Sequence, residues 1–322
     1  MSEVLLKLSD IHKQFRINNQ TVVNAVNGVS LEIHRGEILG LVGESGCGKT
    51  TTGRTIVKLY KLDQGKIEFA GRDIWSLQRS ENLEYHKRVQ IIYQDPYASL
   101  DPLATASTSI AEGLEIHNLL HTRKERHQRV LELLNMVGLN PEHANRFPHE
   151  FSGGQRQRLN IARALAVDPE LVICDEPISA LDVSIQAQIV NLMMRLQENM
   201  GLSYIFITHD LSMVRQISDR IAVMYLGSIV ELASSDILYT KNRHPYTKAL
   251  LSAIPIPDPL IEKERQRILL SGDPPNPINL KNNCSFAPRC PHVMEQCQLE
   301  KPALQEMDSG HYVACHRVHD FS

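Results

Sequence analysis

The sequence predicts an α/β fold built on a parallel sheet. Short apolar strands alternate with helical stretches, a glycine-rich loop follows one early strand, and strands return after a mostly helical middle. Residues 4–11, 29–33 and 37–42 are apolar-rich and bounded by turn pairs such as Asn27-Gly28 and Arg35-Gly36, so they read as strands. A helix is expected over 50–60 and a strand over 66–70, ended by Gly71-Arg72-Asp73. From about 95 to 166 the pattern is helical, as over 123–137. Strands follow at 89–93, 171–174, 203–208 and 221–225, with helices between the later ones. Residues 271–277 are rich in proline and glycine and read as a linker, beyond which lie four of the six cysteines.

At 322 residues the chain has room for about two domains. Its 34 Lys and Arg against 37 Asp and Glu give a net charge of −3, so no nucleic-acid partner is expected. No apolar run approaches the roughly 20 residues of a spanning helix. The start, Met1-Ser2-Glu3-Val4, lacks the pattern of a signal peptide, and the chain is expected in the cytosol. Six cysteines in that reducing compartment are not expected to form structural disulfides.

Gly43-Glu44-Ser45-Gly46-Cys47-Gly48-Lys49-Thr50 fits G-x-x-x-x-G-K-[ST] between an expected strand and helix. Glycines let successive backbone N–H groups turn inward on phosphate oxygens, and the helix start adds partial positive charge. Lys49 can then reach the β- and γ-phosphates, and the Thr50 hydroxyl can ligate Mg²⁺. Leu171-Val172-Ile173-Cys174-Asp175-Glu176 is an apolar strand ending in two acids. An acidic strand end alone is usually a solvated turn, but beside such a loop Asp175 can hold Mg²⁺. Strand alternation turns Glu176 the other way, where it can polarise water as a general base. Phe151-Ser152-Gly153-Gly154-Gln155 precedes a helical run over 156–166. Ser152 is a good N-cap and the glycines leave N–H groups open, a second anion-binding helix start.

With these motifs in order, the sequence resembles the nucleotide-binding subunits of ABC transporters over nearly its whole length. Gly43 to Thr50 match the Walker A loop and residues 151–155 the signature, with Phe151 for the commoner Leu. Residues 171–175 match Walker B, Glu176 the catalytic glutamate, and Gln94 the Q-loop. Ser179-Ala180-Leu181-Asp182 matches the D-loop and His209 the switch histidine, and Phe15 sits where the family stacks an aromatic on adenine. The resemblance implies a P-loop ATPase core with an N-terminal antiparallel β subdomain, an inserted helical subdomain near 95–166, and a small irregular C-terminal extension. The ATPase domain would span 1–235 and the cysteine-bearing extension 236–322. It further implies ATP and Mg²⁺ as cofactors. Phe15, Gly43, Glu44, Ser45, Gly46, Cys47, Gly48, Lys49, Thr50, Thr51, Ser152, Gly153, Gly154, Gln155 and Asp182 would bind nucleotide, and Thr50, Gln94 and Asp175 would hold Mg²⁺. Glu176, His209 and Gln94 would be catalytic, and two cassettes would sandwich two ATP, Walker A of one facing the signature of the other.

Finer motifs are similar to the oligopeptide, dipeptide and nickel importer ATPases: residues 94–102, 146–158, and His244-Pro245-Tyr246 with the five residues after it. Asp95-Pro96-Tyr97 looks like the second ATPase of such systems, which implies a heterodimer with a homologous ATPase, a homodimer being the alternative. Two integral membrane permease subunits and, indirectly, an extracytoplasmic binding protein are the implied partners. The implied place is peripheral, on the cytoplasmic face of the cell membrane. The implied cargo is a di- or oligopeptide, with nickel or glutathione as alternatives. A DNA-repair ATPase with the same signature would carry long coiled coils between Gln94 and Ser152, and that stretch has no heptads.

Cys284, Cys290, Cys297 and Cys315 are spaced C-x5-C-x6-C-x17-C, looser than zinc-ribbon pairs or common ferredoxin runs. The surrounding segment has too few apolar residues for its own core, so it needs packing against the main domain or a staple. Four thiols at this spacing allow a metal site. The family resemblance implies a [4Fe-4S] cluster, with Zn²⁺ as the alternative and His311, His316 or His319 as substitute ligands. Cys47 is expected to be a small spacer, although a helix start can activate a thiol. Cys174 is expected in the core. His117, His121 and His127 are expected on solvated helix faces.

Overall fold

The computed structural model describes residues 3–18, 20–255, 267–272, 275–278 and 280–321. Its strands are β1 (Val4–Arg16), β2 (Val22–His34), β3 (Ile38–Val42), β4 (Gln64–Phe69), β5 (Arg72–Asp73) and β6 (Val89–Ile92). They continue with β7 (Leu171–Asp175), β8 (Ser203–Thr208), β9 (Arg220–Tyr225), β10 (Ser228–Ser234), β11 (Gln305–Asp308) and β12 (His311–Val313). The helices are α1 (Lys49–Ile56), α2 (Arg79–Arg88), α3 (Ala106–Ile116), α4 (Arg123–Met136) and α5 (Gly153–Leu165). After them come α6 (Val183–Met200), α7 (Leu211–Ile217), α8 (Ser235–Lys241), α9 (Pro245–Ser252) and α10 (Glu295–Leu299). The chain divides into two compact units, each assembled from separated segments.

The first unit comprises Met1–Leu6, Ile33–Glu37 and Glu68–Ile207. β6, β7 and β8 are parallel neighbours, with Val89 opposite Leu171 and Leu171 opposite Ser203. Every residue of β7 is buried, which is why it reads as an unbroken apolar run. Among the helices, α3 buries Ile110 and Leu114, α4 buries Val130, Leu133 and Leu134, and α5 buries Leu159, Ile161 and Leu165. These apolar stripes pack on one another, and that packing makes the helical insert. Thr122 opens α4 with a capping box: its hydroxyl accepts from the Glu125 N–H, and the Glu125 carboxylate accepts from the Thr122 N–H. Arg35 and Arg88 both donate to Glu170. Burial pushes the Glu170 carboxyl up, but the two guanidinium groups hold it below its ordinary value.

The second unit comprises Lys7–Glu32, Ile38–Ile67 and Thr208–Ser322. β1 lies between β2 and β4. β3 pairs in parallel with β9, Leu39 opposite Arg220. β9 turns into β10 at Leu226 (φ 41) and Gly227 (φ 82), two successive left-handed residues joining antiparallel strands. β12 adds to β10 with Glu231 opposite Val313, and β11 pairs with β12. Phe286 is buried in a cluster with Tyr225 and Tyr246. The tail therefore meets its shortage of apolar residues by packing and strand addition.

Several boundaries differ from expectation. β1 and β2 run on through polar residues, because hydrogen-bonded pairing continues where side chains are solvated on one side. α1 stops at Ile56: Lys58 is left-handed (φ 61), and the Leu59 and Tyr60 N–H groups fold back on the Arg54 carbonyl. Of the expected linker at 271–277, Asp273 and Pro274 lie outside the described residues. Its end is tied down: the Asn24 N–H donates to the Pro277 carbonyl, and Ile278 bridges to Val23.

Candidate functional site

Within the second unit, β3 delivers the chain into the loop Gly43–Thr50. Gly43 (φ 154) allows no side chain, since a Cβ would fall 2.1 Å from the Met224 carbonyl oxygen. At Gly48 (φ 105) a Cβ would fall 2.1 Å from the Ala25 carbonyl oxygen. Both glycines are fixed by close backbone approach. Lys49 is buried and its Nζ donates to the Gly43 carbonyl (2.8 Å) and the Glu44 carbonyl (3.0 Å). The ammonium thus sits over the loop's own carbonyls, where incoming phosphate oxygens can replace them as acceptors. Thr50 and Thr51 lie in the first turn of α1. Ser45 and Gly46 are exposed at the tip of the loop. Cys47 is buried, and burial pushes its thiol up against the lowering effect of Lys49, so its position does not activate it.

Two other residues of this unit were expected at the nucleotide. Phe15 is half-buried and meets Tyr60 edge to face, ring centroids 5.2 Å apart. Tyr60, whose hydroxyl accepts from Arg54, escaped the sequence reading. An aromatic pair is visible only once β1 and the end of α1 are folded together. His209 is exposed immediately after β8, and the next residue, Asp210, caps α7 by accepting from the Ser212 N–H.

Within the first unit, Asp175 is buried at the tip of β7. Glu176 departs from expectation, because its φ of 46 ends strand alternation there. Its N–H donates to the Ile207 carbonyl (3.0 Å), and its carboxylate accepts from the Gln94 side-chain amide (3.0 Å). Gln94 thus holds Glu176 through its NH₂ and keeps its amide oxygen for another partner. Ser152 caps α5 through a reciprocal box with Gln155. Gly153 faces Leu181 and Gly154 faces Ile185, so the signature turn stands beside Asp182, the exposed N-cap residue of α6. A Cβ on Gly154 would fall 2.6 Å from an Ile185 methyl.

Cys284, Cys290, Cys297 and Cys315 line one void of about 10 Å³ in the second unit and are all free thiols. Backbone N–H groups two residues on, from Phe286, His292 and Arg317, reach the sulfurs of Cys284, Cys290 and Cys315 respectively. Burial pushes Cys284 up to about 11 and raises Cys290 and Cys315. Among the described residues, no three His, Cys, Asp or Glu side chains are gathered as a metal ion would need. His311 is not a substitute ligand: its Nε2 pairs with the buried Glu231 carboxylate at 2.8 Å. His316 lines the void, with its Nε2 3.2 Å from the Glu300 carbonyl. Cys174 is in the core, as expected.

The sequence also gave no reason to single out Arg289 or Tyr246 for a role at the loop. Arg289 is buried and donates to both oxygens of Glu44, at 2.9 and 3.2 Å. The Tyr246 hydroxyl accepts from the Glu44 N–H at 3.0 Å.

The chain matches the ABC transporter family over residues 26–179 and the oligopeptide/dipeptide transporter C-terminal region over residues 230–297. It is 54% identical over 316 residues to the oligopeptide transport ATP-binding protein OppF of Bacillus subtilis, covering 98% of this chain and 97% of that protein. It is 48% identical over 324 residues to OppF of Salmonella typhimurium, with 98% and 97% covered. Among solved structures, the dimeric post-hydrolysis state of the ATP-binding cassette MJ0796, bound to ADP and Pi, is similar with a TM-score of 0.66. That likeness is at 30% identity and covers 72% of this chain and 99% of that one.

Proposed function

This chain belongs to the oligopeptide branch of the ABC transporter ATPases: it hydrolyses ATP to power peptide import, and we propose how its residues divide that work. The loop Gly43–Thr50 receives the triphosphate, Lys49 exchanging the Gly43 and Glu44 carbonyls for β- and γ-phosphate oxygens. Phe15 offers its ring to the adenine. Thr51 takes part at the first turn of α1, and Thr50, Asp175 and Gln94 would each offer Mg²⁺ an oxygen ligand, the donor type that ion takes. When bound, that ion neutralises charge on the β- and γ-phosphates.

Glu176 takes a proton from the attacking water as the water oxygen bonds to the γ-phosphorus and the bond to the β–γ bridging oxygen breaks. Gln94 orients the carboxylate, and His209 donates to the γ-phosphate as charge moves across it. The hydrogen bond between Gln94 and Glu176 is the observation that carries this reading. Glu176→Gln is expected to slow ATP hydrolysis about 10²–10⁴-fold while leaving ATP binding intact. Near-normal turnover in that variant would remove Glu176 as the base.

The signature turn, Ser152 to Gln155, and Asp182 serve the ATP held by a second ATPase; we favour a homologous partner in a heterodimer, a homodimer being the alternative. Two permease subunits receive the motion, and the exposed side chains of Tyr97 and Leu103 near Gln94 suit that contact. An extracytoplasmic binding protein selects the peptide. No helix among the described residues is long and apolar enough to cross a membrane. The chain acts as a peripheral ATPase of a transporter, on the cytoplasmic face. The division into a 1–235 ATPase domain and a 236–322 extension is kept as a functional one.

The four thiols line one void without being gathered at ligating distance, and backbone N–H groups reach three of the sulfurs, so a thiolate-bound group would have to draw them together. We favour [4Fe-4S] over Zn²⁺, held by Cys284, Cys290, Cys297 and Cys315. Bound there, it would cross-link the tail. Iron, sulfide and zinc analysis of anaerobically purified protein tests this, and absence of all three would end it.

A further inference from the structure

Glu44 sets a problem for the loop that holds it. Its carboxylate stands one residue after Gly43, in a loop that must accept a polyanionic triphosphate, and an uncompensated charge there repels the ligand. Arg289 answers that charge from a position 245 residues away in sequence. One guanidinium nitrogen donates to both Glu44 oxygens; the Arg289 side chain is 8% exposed and that of Glu44 27%, so the pair is partly shielded from solvent screening. The Glu44 backbone N–H donates to the Tyr246 hydroxyl. Tyr246 is in turn packed against Tyr225 at 4.6 Å and against Phe286 at 5.6 Å. A cavity of about 350 Å³ is bordered by Glu44, Cys47 and the segment Pro275, Asn276 and Pro277. The C-terminal segment therefore reaches Glu44 through a charge and a hydroxyl.

We propose that Arg289 is a positioning residue of the phosphate loop: by neutralising and anchoring Glu44, it lets the C-terminal segment set the loop's affinity for the nucleoside triphosphate. Arg289 touches no reacting atom in this account and acts through Glu44. It immediately precedes Cys290, one of the four clustered thiols. The inference rests on the loop being the ATP site proposed above.

The test titrates the full-length purified chain with a fluorescent ATP analogue. Wild type, Lys49→Ala, Arg289→Ala, Arg289→Lys, Glu44→Gln and the double variant Glu44→Gln/Arg289→Ala are compared, with urea melts run in parallel. Arg289→Ala is expected to weaken binding about tenfold, and in the assembled ATPase KM should rise more than kcat falls. Arg289→Lys should recover part of the loss, since it keeps the charge but on a shorter side chain with a different donor geometry. The double variant should bind within about threefold of Glu44→Gln alone, because removing the carboxylate removes the need for the guanidinium. Wild-type affinity in Arg289→Ala overturns the proposal. So does a double variant as weak as Arg289→Ala, since a fold merely damaged by losing Arg289 is not mended by neutralising Glu44. Wild type binding no better than Lys49→Ala overturns instead the reading of the loop as the ATP site.

Discussion

The helices beginning at Lys49 and at Gly153 both start beside glycines, and both read from the sequence as phosphate-facing, yet they are built in opposite ways. At the first, Gly43 and Gly48 are pressed against the Met224 and Ala25 carbonyls, Lys49 is buried on the loop's own oxygens, and Glu44 is gripped by Arg289 and Tyr246. No side chain caps α1. At the second, Ser152 and Gly153 are exposed, and the turn is held only by its own capping box and by neighbours beneath it. The first is a finished receptor for anions, shaped by the chain around it. The second is an exposed turn, open as the composite site proposed between two cassettes would require.

Substitutions at matched glycines separate these two designs. Gly48→Ala should have the largest effect, because a Cβ there meets backbone and the residue is left-handed. A loss of about 3 kcal/mol or more in a urea melt is expected, with nucleotide binding abolished in the isolated chain. Gly154→Ala meets only the Ile185 side chain. It should leave nucleotide binding by the isolated chain unchanged and lower ATPase activity of the assembled pair about tenfold. If Gly154→Ala weakened binding by the isolated chain, the contrast drawn here would fail.

A pH series tests the packing that supports the loop. His244 accepts from the Tyr246 N–H through Nδ1, and burial lowers its pKa to about 4. Above pH 6.5 the imidazole is neutral in folded and unfolded chains alike, and its contribution is fully present. Between pH 6.5 and 4 the unfolded chain takes up the proton and the folded one does not, so stability falls as pH falls. About 2 kcal/mol should be lost at pH 5 relative to pH 7, read from urea melts. His244→Asn, which keeps an N-cap acceptor, should flatten that loss. The smallest expected effect is that of Ser152→Ala, which removes one half of the capping box and should cost about 1 kcal/mol.

The motif residues were legible because each depends on local chemistry: glycines for a loop, an apolar run for a buried strand, serine for a cap. The strand expected at 203–208 matches β8 residue for residue. Glu176 was assigned its role but not its geometry, because alternation holds only inside a strand and φ turns positive there. The longer courses of β1 and β2 were hidden because polar residues do not announce pairing. The roles of Arg289, Tyr246 and Tyr60 were hidden for another reason: each acts on a residue distant in sequence, and no spacing rule connects Arg289 to Glu44. His311 was offered to a metal by its nearness to Cys315 in sequence, and the fold gave it to Glu231.

The second unit's discontinuity bears on how the protein is made. β3, which carries the phosphate loop, is paired with β9, whose residues leave the ribosome roughly 180 positions later. Arg289 follows later still. During synthesis the loop-bearing strand waits with an unpaired edge and an unanswered carboxylate while the intervening 68–207 segment emerges and can fold as part of the first unit. Nascent chains stalled before residue 220 should therefore be bound by chaperones and blind to ATP, whereas release of the complete polypeptide lets the nucleotide act as a folding ligand.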